Sequence, residues 1–329
     1  MAAISADTPL LDVKGLKTYF HTEEGLVRAV DDVSFTLSPG ESLGLVGESG
    51  CGKSVTAFSI MDLVPIPPGR IEAGEIFFKG KDLLKAEHSD RRKISGNHIG
   101  MIFQEPMTAL NPVMTVGDQI TEVLKLHTLL DKEARWEKAV EMIGKVGISE
   151  PRKRAKSYPH ELSGGMRQRI MIAMALVCDP DILIADEPTT ALDVTIQAQI
   201  IELIQAMQEE TEAAVILITH DLAVIAETVN KVIVMYAGKI VESADVETIF
   251  TEPKHPYTQG LLKSIPVLGE PGKKLESITG RVPNLIDLPP GCSFANRCPQ
   301  ATDRCRSEHP RVIDLDSGKH QVRCNLYDT

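Results

Sequence analysis

The order of apolar and polar positions along the chain predicts strands that alternate with helices. Short apolar runs bounded by turn-forming residues predict strands at 10–16, 33–37, 42–46, 76–78, 99–103, 182–185 and 214–219. Helical spacing predicts helices at 54–63, 115–146, from Ser163 onward and at 196–210. Within 115–146 the apolar face is expected to consist of Ile120, Val123, Leu124 and Leu126. Alternation of this kind indicates parallel β/α units in an α/β fold.

The character of the chain changes after Pro253. Proline, glycine and cysteine become frequent from there, and the apolar periodicity fades. A domain boundary is therefore expected near residue 250, with one domain at 1–250 and a small, loop-rich domain at 251–329.

Composition narrows the possible partners and compartment. The formal net charge is -11, so no nucleic-acid partner is expected, since nucleic-acid-binding domains usually carry a basic stripe. The longest apolar candidate, 170–178, falls well short of the roughly 18 residues that a membrane helix needs. The first residues lack the basic and apolar regions of a secretory signal. We therefore expect a cytosolic protein whose cysteines are thiols or metal ligands.

A glycine-rich turn lies between the predicted strand at 42–46 and the helix that follows. It fits the phosphate-loop pattern G-x-x-x-x-G-K-S, in the strand–turn–helix position that this motif requires. Glycines allow backbone N–H groups to surround phosphates, and the helix presents its positive end to them. Lys53 is expected to reach the β- and γ-phosphates and Ser54 to ligate Mg²⁺, whereas Cys51 only fills space. The residues predicted to bind nucleotide here are Gly47, Glu48, Ser49, Gly50, Cys51, Gly52, Lys53, Ser54 and Val55.

An apolar run at 182–185, preceded by Asp181, ends in two carboxylates, Asp186 and Glu187. Such a run is typical of a strand at the centre of a parallel sheet, and these sheets bind ligands at the carboxyl ends of their strands. Asp186 is expected to hold Mg²⁺ through water. Glu187 is expected to polarise the attacking water as general base. The pair and the phosphate loop together predict a nucleotide-hydrolysing site.

A second glycine-rich motif, LSGGM at 162–166, precedes another predicted helix. Ser163 is a suitable N-cap, and Gly164 and Gly165 bring backbone amides to the surface at the helix start. With this motif the sequence resembles an ABC ATPase. In that family the motif binds the γ-phosphate held by the opposite subunit, and the resemblance assigns this role to Ser163, Gly164 and Gly165. Met166 stands where the family usually has glutamine, as in peptide-importer members.

Four further assignments rest on the resemblance. Gln104 fits the Q-loop, with an expected part in catalysis and in Mg²⁺ binding. Asp193 fits the D-loop at 191–193, and His220 fits the switch histidine that contacts the γ-phosphate. The aromatic side chain that stacks on adenine is expected to be Phe20, with Tyr19 as the alternative.

The resemblance covers nearly the whole chain and is closest to ATPase subunits of dipeptide and oligopeptide importers. It rests on FQEPMTALNP at 103–112, on PTTALDVTIQ at 188–197 and on HPYT at 255–258, which without the resemblance is an ordinary proline-containing loop. It implies a P-loop NTPase fold with a RecA-like parallel-sheet core, an antiparallel β subdomain and a helical subdomain at about 105–165. The C-terminal extension is typical of that group.

The implied function is ATP hydrolysis, with Mg²⁺, that drives peptide uptake across the cytoplasmic membrane. The implied partners are a second ATPase subunit that closes head to tail, two transmembrane permease subunits and, through them, an extracytoplasmic peptide-binding protein. A heterodimer of ATPases is favoured over a homodimer, and the expected location is the cytoplasmic face of the membrane. The same machinery importing nickel or glutathione stays open, as does a non-transport regulatory or iron–sulfur ABC protein.

Four of the six cysteines lie close together near the C-terminus, at Cys292, Cys298, Cys305 and Cys324. A small, loop-rich segment needs a staple, and in the cytosol four thiolates indicate a metal rather than disulfides. Zinc sites usually use shorter C-x₂₋₄-C spacings, whereas four cysteines are the usual ligands of a [4Fe–4S] cluster. The cluster is therefore expected, with Zn²⁺ and free thiols as alternatives. Nearby arginines, Arg297, Arg304 and Arg306, are expected to offset its negative charge, and members of the resembled family are taken to hold such a cluster.

Overall fold

The computed structural model describes residues 8–190, 192–265 and 277–328. The strands are β1 (Leu11–Thr22), β2 (Gly25–Leu37), β3 (Ser42–Val46), β4 (Gly69–Phe78), β5 (Lys81–Asp82), β6 (Ile99–Ile102), β7 (Ile182–Asp186), β8 (Ala214–Thr219), β9 (Lys231–Tyr236), β10 (Lys239–Asp245), β11 (Val312–Asp314) and β12 (Gln321–Arg323).

The helices alternate with these strands in the middle of the chain. They are α1 (Lys53–Met61), α2 (His88–Ile94), α3 (Pro106–Ala109), α4 (Val116–His127), α5 (Lys132–Lys145), α6 (Pro151–Arg154), α7 (Gly164–Leu176), α8 (Val194–Thr211), α9 (Leu222–Thr228), α10 (Val246–Thr251), α11 (Pro256–Lys263) and α12 (Asp303–Ser307), with a 3₁₀ turn at Pro159–Glu161. Among the helices that the structure describes, none has both the length and the apolar character needed to cross a membrane.

The chain divides into two compact units. The first comprises the described parts of 1–37, 42–84 and 219–329, and the second comprises 38–41 and 85–218. The phosphate loop and the C-terminal extension therefore belong to one unit. The carboxylate pair and the LSGGM motif belong to the other.

The first unit contains an antiparallel sheet in the order β2-β1-β4-β5. A buried hydrogen bond of 2.7 Å between the Thr18 and Ser59 hydroxyls joins β1 to α1. In the same unit β3 pairs parallel with β9, and β9, β10, β12 and β11 continue in antiparallel pairs. Every residue of β3 is buried, because this strand lies inside the core. The extension adds β11 and β12 to this sheet.

The second unit is built on the parallel strands β6, β7 and β8, with β7 between the other two. All residues of these strands are buried, including Thr219 at the end of β8, which the division assigns to the first unit. This arrangement confirms the parallel β/α units that the sequence predicts.

The predicted helix at 115–146 is wrong in extent, because the structure has two helices there. Thr128 ends α4, and Asp131 begins α5 by accepting a hydrogen bond from the backbone N–H of Ala134. The predicted apolar face is also partly wrong. Ile120 and Leu124 are fully buried, but 65% of the Leu126 side chain is exposed.

Candidate functional site

The phosphate loop connects β3 to α1 in the first unit. Gly47, Gly50 and Gly52 have φ values of 150°, 78° and 106°, in the region that favours glycine. A Cβ at Gly47 would collide with the carbonyl oxygen of Met235, and one at Gly52 with that of Ala29. Gly52 is also the N-cap of α1, so no capping side chain competes with an anion for the first N–H groups of the helix.

Lys53 opens α1 and is only 5% exposed. Its Nζ donates hydrogen bonds to the carbonyl oxygens of Gly47, at 2.8 Å, and of Glu48, at 3.2 Å. Two backbone carbonyls therefore hold the ammonium inside the loop. The Cys51 thiol is fully buried beside it, and burial raises its pKa, which agrees with a space-filling role.

The C-terminal extension holds Glu48, the second residue of the loop. The backbone N–H of Glu48 donates to the Tyr257 hydroxyl at 2.9 Å. Its carboxylate accepts from Arg297 twice, at 2.6 Å to Nη1 and 2.9 Å to Nη2. The Arg297 side chain is only 4% exposed, and its hydrogen bonds to Glu48 raise the pKa of the guanidinium. The guanidinium is thus committed to the phosphate loop, which corrects the expectation that it offsets charge at the cysteines.

Two aromatic side chains on β1 are candidates for the adenine contact. The Tyr19 hydroxyl donates to Asp31 at 2.8 Å, and burial together with this bond raises the pKa of Tyr19 to about 12. The Phe20 ring lies beside Gly69, where an added Cβ would come within 2.9 Å of it. Both side chains are half-buried. Stacking on adenine stays a prediction for Phe20, with Tyr19 as the alternative.

His220 directly follows β8 and is exposed. Local hydrogen bonds fix the backbone on its C-terminal side: the Asp221 N–H donates to the Thr219 hydroxyl at 3.0 Å, and Asp221 caps α9. The predicted switch histidine therefore stands at a defined strand-to-helix turn of the first unit.

The carboxylate pair ends β7 in the second unit. Asp186 is 2% exposed. Glu187 adopts a left-handed backbone with φ 45°, and its N–H donates to the carbonyl oxygen of Ile218 at 2.8 Å. Its Oε2 accepts from Gln104 Nε2 at 3.0 Å and from the Thr190 hydroxyl at 2.9 Å. The structure thus brings together Gln104 and Glu187, which are predicted from separate motifs, and adds Thr190, which sequence reasoning missed.

The LSGGM motif caps α7 as its residue types predict. The Ser163 hydroxyl accepts from the Met166 N–H at 3.3 Å. Ser163 and Gly164 are exposed, and Gly165 is half-exposed. The motif therefore presents the start of a thirteen-residue helix on the surface of the second unit. An anion would meet backbone N–H groups and the positive end of the helix dipole there.

The loop after Glu187 is tied to α7. Gln168 is 2% exposed, and its Nε2 donates to the carbonyl oxygen of Pro188 at 2.6 Å. Asp193 is the exposed N-cap of α8. Ala191, the first residue of the predicted D-loop, lies outside the described residues.

The four C-terminal cysteines all lie in the first unit. The Cys292 N–H donates to the Cys305 carbonyl oxygen at 2.8 Å. Burial raises the pKa of Cys292, Cys298 and Cys324, the last to about 11, and the neighbouring thiols add to each shift. Yet no three His, Cys, Asp or Glu side chains within 8–190, 192–265 and 277–328 are arranged to hold a metal ion. Among these residues the four cysteines therefore do not form the expected set of metal ligands.

Comparisons with known proteins give a family match for two separate parts of the chain. A family model described as "ABC transporter" matches residues 30–190. A second, described as "Oligopeptide/dipeptide transporter, C-terminal region", matches residues 241–305 and so covers the segment around Tyr257 and Arg297.

Similar proteins extend over almost the full chain. The oligopeptide transport ATP-binding protein AppD of Bacillus subtilis (strain 168) is 53% identical over 319 residues, 97% of each chain. The dipeptide transport ATP-binding protein DppD of Escherichia coli (strain K12) is 50% identical over 316 residues, 96% of each chain. Among solved structures, the dimeric ATP-binding cassette MJ0796 in a post-hydrolysis state with ADP and Pi matches with a TM-score of 0.65 and 26% identity, over 72% of this chain and 98% of that one. These likenesses confirm the predicted α/β fold.

Proposed function

The chain belongs to the ATP-binding proteins of ABC transporters, and from that premise we propose that it hydrolyses ATP to drive peptide uptake across the cytoplasmic membrane. Proteins of this family are ATPases, so the reaction is hydrolysis of the β–γ phosphoanhydride bond. The match of residues 241–305 to the peptide-transporter C-terminal region favours peptides over nickel or glutathione as the transported solute. A purely regulatory role is disfavoured by the complete set of hydrolytic residues.

The contact between Gln104 and Glu187 carries the catalytic part of the proposal. A general base must be held in place and must accept a proton from water. Two donors fix Glu187 Oε2, one from Gln104 and one from Thr190. The carboxylate is thereby oriented by side chains from outside its own strand.

Nucleotide is proposed to bind on the phosphate loop. Lys53 leaves the carbonyl oxygens that now accept from it and donates to phosphate oxygens, a charge-assisted bond that is stronger than its present ones. The hydroxyl of Ser54, the buried carboxylate of Asp186 and the amide oxygen of Gln104 are the hard oxygen donors that Mg²⁺ prefers. When bound, Mg²⁺ would neutralise charge on the phosphate oxygens.

The exposed start of α7 is proposed to serve the nucleotide of a second subunit. Ser163, Gly164 and Gly165 would bind its γ-phosphate. His220 would contact the γ-phosphate as the switch histidine, and Asp193 would contribute to nucleotide binding through the D-loop. Two ATPase subunits would then close head to tail at the cytoplasmic face of the membrane. A heterodimer is favoured over a homodimer. Their other partners would be two permease subunits and, through these, an extracytoplasmic peptide-binding protein. Copurification of a different ATPase with the permeases would support this arrangement, and a stable homodimeric transporter would refute the heterodimer.

The decisive experiment on the reaction is Glu187→Gln. The amide keeps an oxygen that can accept from Gln104 and Thr190 but has little basicity, so turnover should fall about 10²- to 10⁴-fold with ATP binding retained. Phosphate release is measured in the assembled complex, with Glu209→Gln on the exposed face of α8 as the matched control. Glu187→Gln is expected to accumulate as an ATP-bound closed dimer. Near-normal phosphate release by Glu187→Gln would disprove the assignment.

The four cysteines are proposed to hold a [4Fe–4S] cluster, with Zn²⁺ as the alternative. Support comes from their grouping in the sequence, since four of the six cysteines lie at 292–324, and from the hydrogen bond of 2.8 Å that the Cys292 N–H donates to the Cys305 carbonyl oxygen. Coordination would require thiolates, since a bound cation removes the protons of its thiol ligands. Anaerobically purified protein should be brown and contain about four irons per chain, and Cys324→Ser should lose the colour while Cys178→Ser keeps it. Colourless protein that contains zinc would show that the site holds Zn²⁺ and not the cluster. Metal-free protein would refute both proposals.

A further inference from the structure

An arginine of the C-terminal extension is bound to the phosphate loop itself. Arg297 and Glu48 are separated by 249 positions in the sequence, yet their side chains form a two-bond ion pair. We propose that Arg297 is a positioning residue for nucleotide binding: it neutralises Glu48 and fixes the loop in the shape that accepts the phosphates of ATP. This role rests on the proposed function and adds to it a part for the extension.

The charge of Glu48 gives the first reason for this role. Glu48 is a carboxylate inside a loop whose proposed ligand is a polyanion, and its carbonyl oxygen already accepts from Lys53. Unpaired, its negative charge would repel the phosphates and would compete with them for the Lys53 ammonium. Pairing with Arg297 removes this penalty, because the two fork-like hydrogen bonds satisfy both carboxylate oxygens.

The rigidity of Arg297 gives the second reason. The guanidinium is fixed on its other sides: Arg297 Nε donates to the Thr279 carbonyl oxygen at 3.0 Å, and the group lies 5.7 Å from the Tyr236 ring centre and 6.0 Å from that of Phe294. A side chain held in this way cannot follow Glu48 if the loop shifts. It therefore holds the loop to the extension.

A third contact acts on the backbone of the same residue. The Tyr257 hydroxyl accepts from the Glu48 N–H, and the Tyr257 ring packs 4.7 Å from Tyr236 and 5.4 Å from Phe294, centre to centre. The main chain of Glu48 thus contacts Tyr257, and its side chain contacts the arginine that lies against Tyr236 and Phe294. The extension thereby forms part of the nucleotide site rather than a separate appendage.

The test measures binding of ATP and ADP to the full chain, with Mg²⁺, by titration calorimetry. Arg297→Met should weaken ATP binding about tenfold, because one uncompensated charge acts on the phosphates at short range. ADP carries less charge and should lose less. In the Glu48→Gln background the same substitution should cost under about threefold, since no carboxylate remains to be neutralised. Arg311→Met is the matched control: it removes an exposed arginine of the same extension, and binding should not change.

The outcomes separate the alternatives. Unchanged ATP binding by Arg297→Met would overturn the proposal. Equal losses of ATP and ADP affinity that Glu48→Gln does not relieve would also overturn it, because they indicate that Arg297 only supports the fold. If Arg297→Met does not fold, Arg297→Lys decides: lysine keeps the charge but not the two-bond geometry, so ATP affinity should fall by less than about tenfold and Glu48→Gln should relieve the loss. A loss that Glu48→Gln does not relieve would refute the charge effect. Failure of the unaltered chain to bind ATP would instead refute the proposed function and, with it, this role.

Discussion

Protonation of His255 should weaken the first unit as the pH falls. His255 is 1% exposed and is the N-cap of α11, where its Nδ1 accepts a hydrogen bond from the Tyr257 N–H at 3.0 Å. Its own backbone N–H donates to the buried carboxylate of Glu242 at 2.9 Å. A proton on Nδ1 would remove the cap, and burial lowers the pKa of His255 to about 3.

The sign of the effect follows from the two pKa values. The folded pKa of His255 lies below the unfolded value of about 6.5, so the unfolded chain binds more protons as the pH falls between these values. The contribution to stability is therefore fully present above about pH 6.5 and is lost as the pH falls towards about 3. Between about pH 7 and pH 5 the lost unfolding free energy amounts to about 2 kcal/mol, at 1.36 kcal/mol per unit of pKa.

The assay is urea unfolding of the full chain and of His255→Asn at both pH values. Asparagine caps helices well, so the variant keeps an acceptor for α11 but has no titrating group. The unaltered chain should lose about 2 kcal/mol more than His255→Asn between the two pH values. His309→Asn, on an exposed side chain of the extension, should behave like the unaltered chain. Equal pH dependence in the unaltered chain and His255→Asn would refute the reasoning.

Three further substitutions test the nucleotide site. Lys53→Ala should lose about tenfold or more in ATP affinity by calorimetry with Mg²⁺, because it removes a charge-assisted contact to phosphate, and unchanged binding would count against the phosphate loop. Thr190→Val should lower kcat about tenfold with little change in KM, because Glu187 loses the hydrogen bond from the Thr190 hydroxyl; a change in KM alone would contradict an orienting role. Gly52→Ala should abolish ATP binding, since its Cβ would collide with the Ala29 carbonyl oxygen, and normal binding would show that the loop can shift.

Local motifs predict the elements of the site because their signals lie within a few residues of one another. Ser163 is expected to cap a helix, and α7 begins after it. The run that ends at Asp186 is expected to be a buried strand, and β7 is buried throughout. In both cases the residue types that carry the chemistry also determine the backbone, so one pattern predicts both.

Predictions from apolar spacing fail where the spacing hides an interruption. The break between α4 and α5 is marked by Asp131, whose carboxylate caps the second helix, a signal that continuous helical spacing conceals. Leu126 lies six residues after Ile120, which at about 3.6 residues per turn places it off the buried face of α4, and it is exposed. The strand β9, which pairs with β3, was not predicted, although Lys231–Tyr236 is an apolar run.

Contacts between distant segments cannot be found from one sequence, and here they connect the extension to the phosphate loop. The HPYT segment carries only a resemblance in the sequence, but its first three residues all shape the fold. His255 caps α11, Pro256 is the first residue of that helix, and Tyr257 binds the Glu48 N–H. The cap on α11 therefore supports the helix that carries the tyrosine.

If Arg297 and Tyr257 position the phosphate loop as proposed, loss of the cap on α11 should weaken ATP binding at neutral pH in a chain that is still folded. His255→Ala removes the acceptor of the Tyr257 N–H, which frees the start of α11 and with it the Tyr257 hydroxyl that holds Glu48. Calorimetric titration of ATP measures the loss of affinity, and His255→Asn, which keeps an acceptor for the helix start, should retain more of it. Unchanged affinity in His255→Ala would show that the cap on α11 and the phosphate loop are independent.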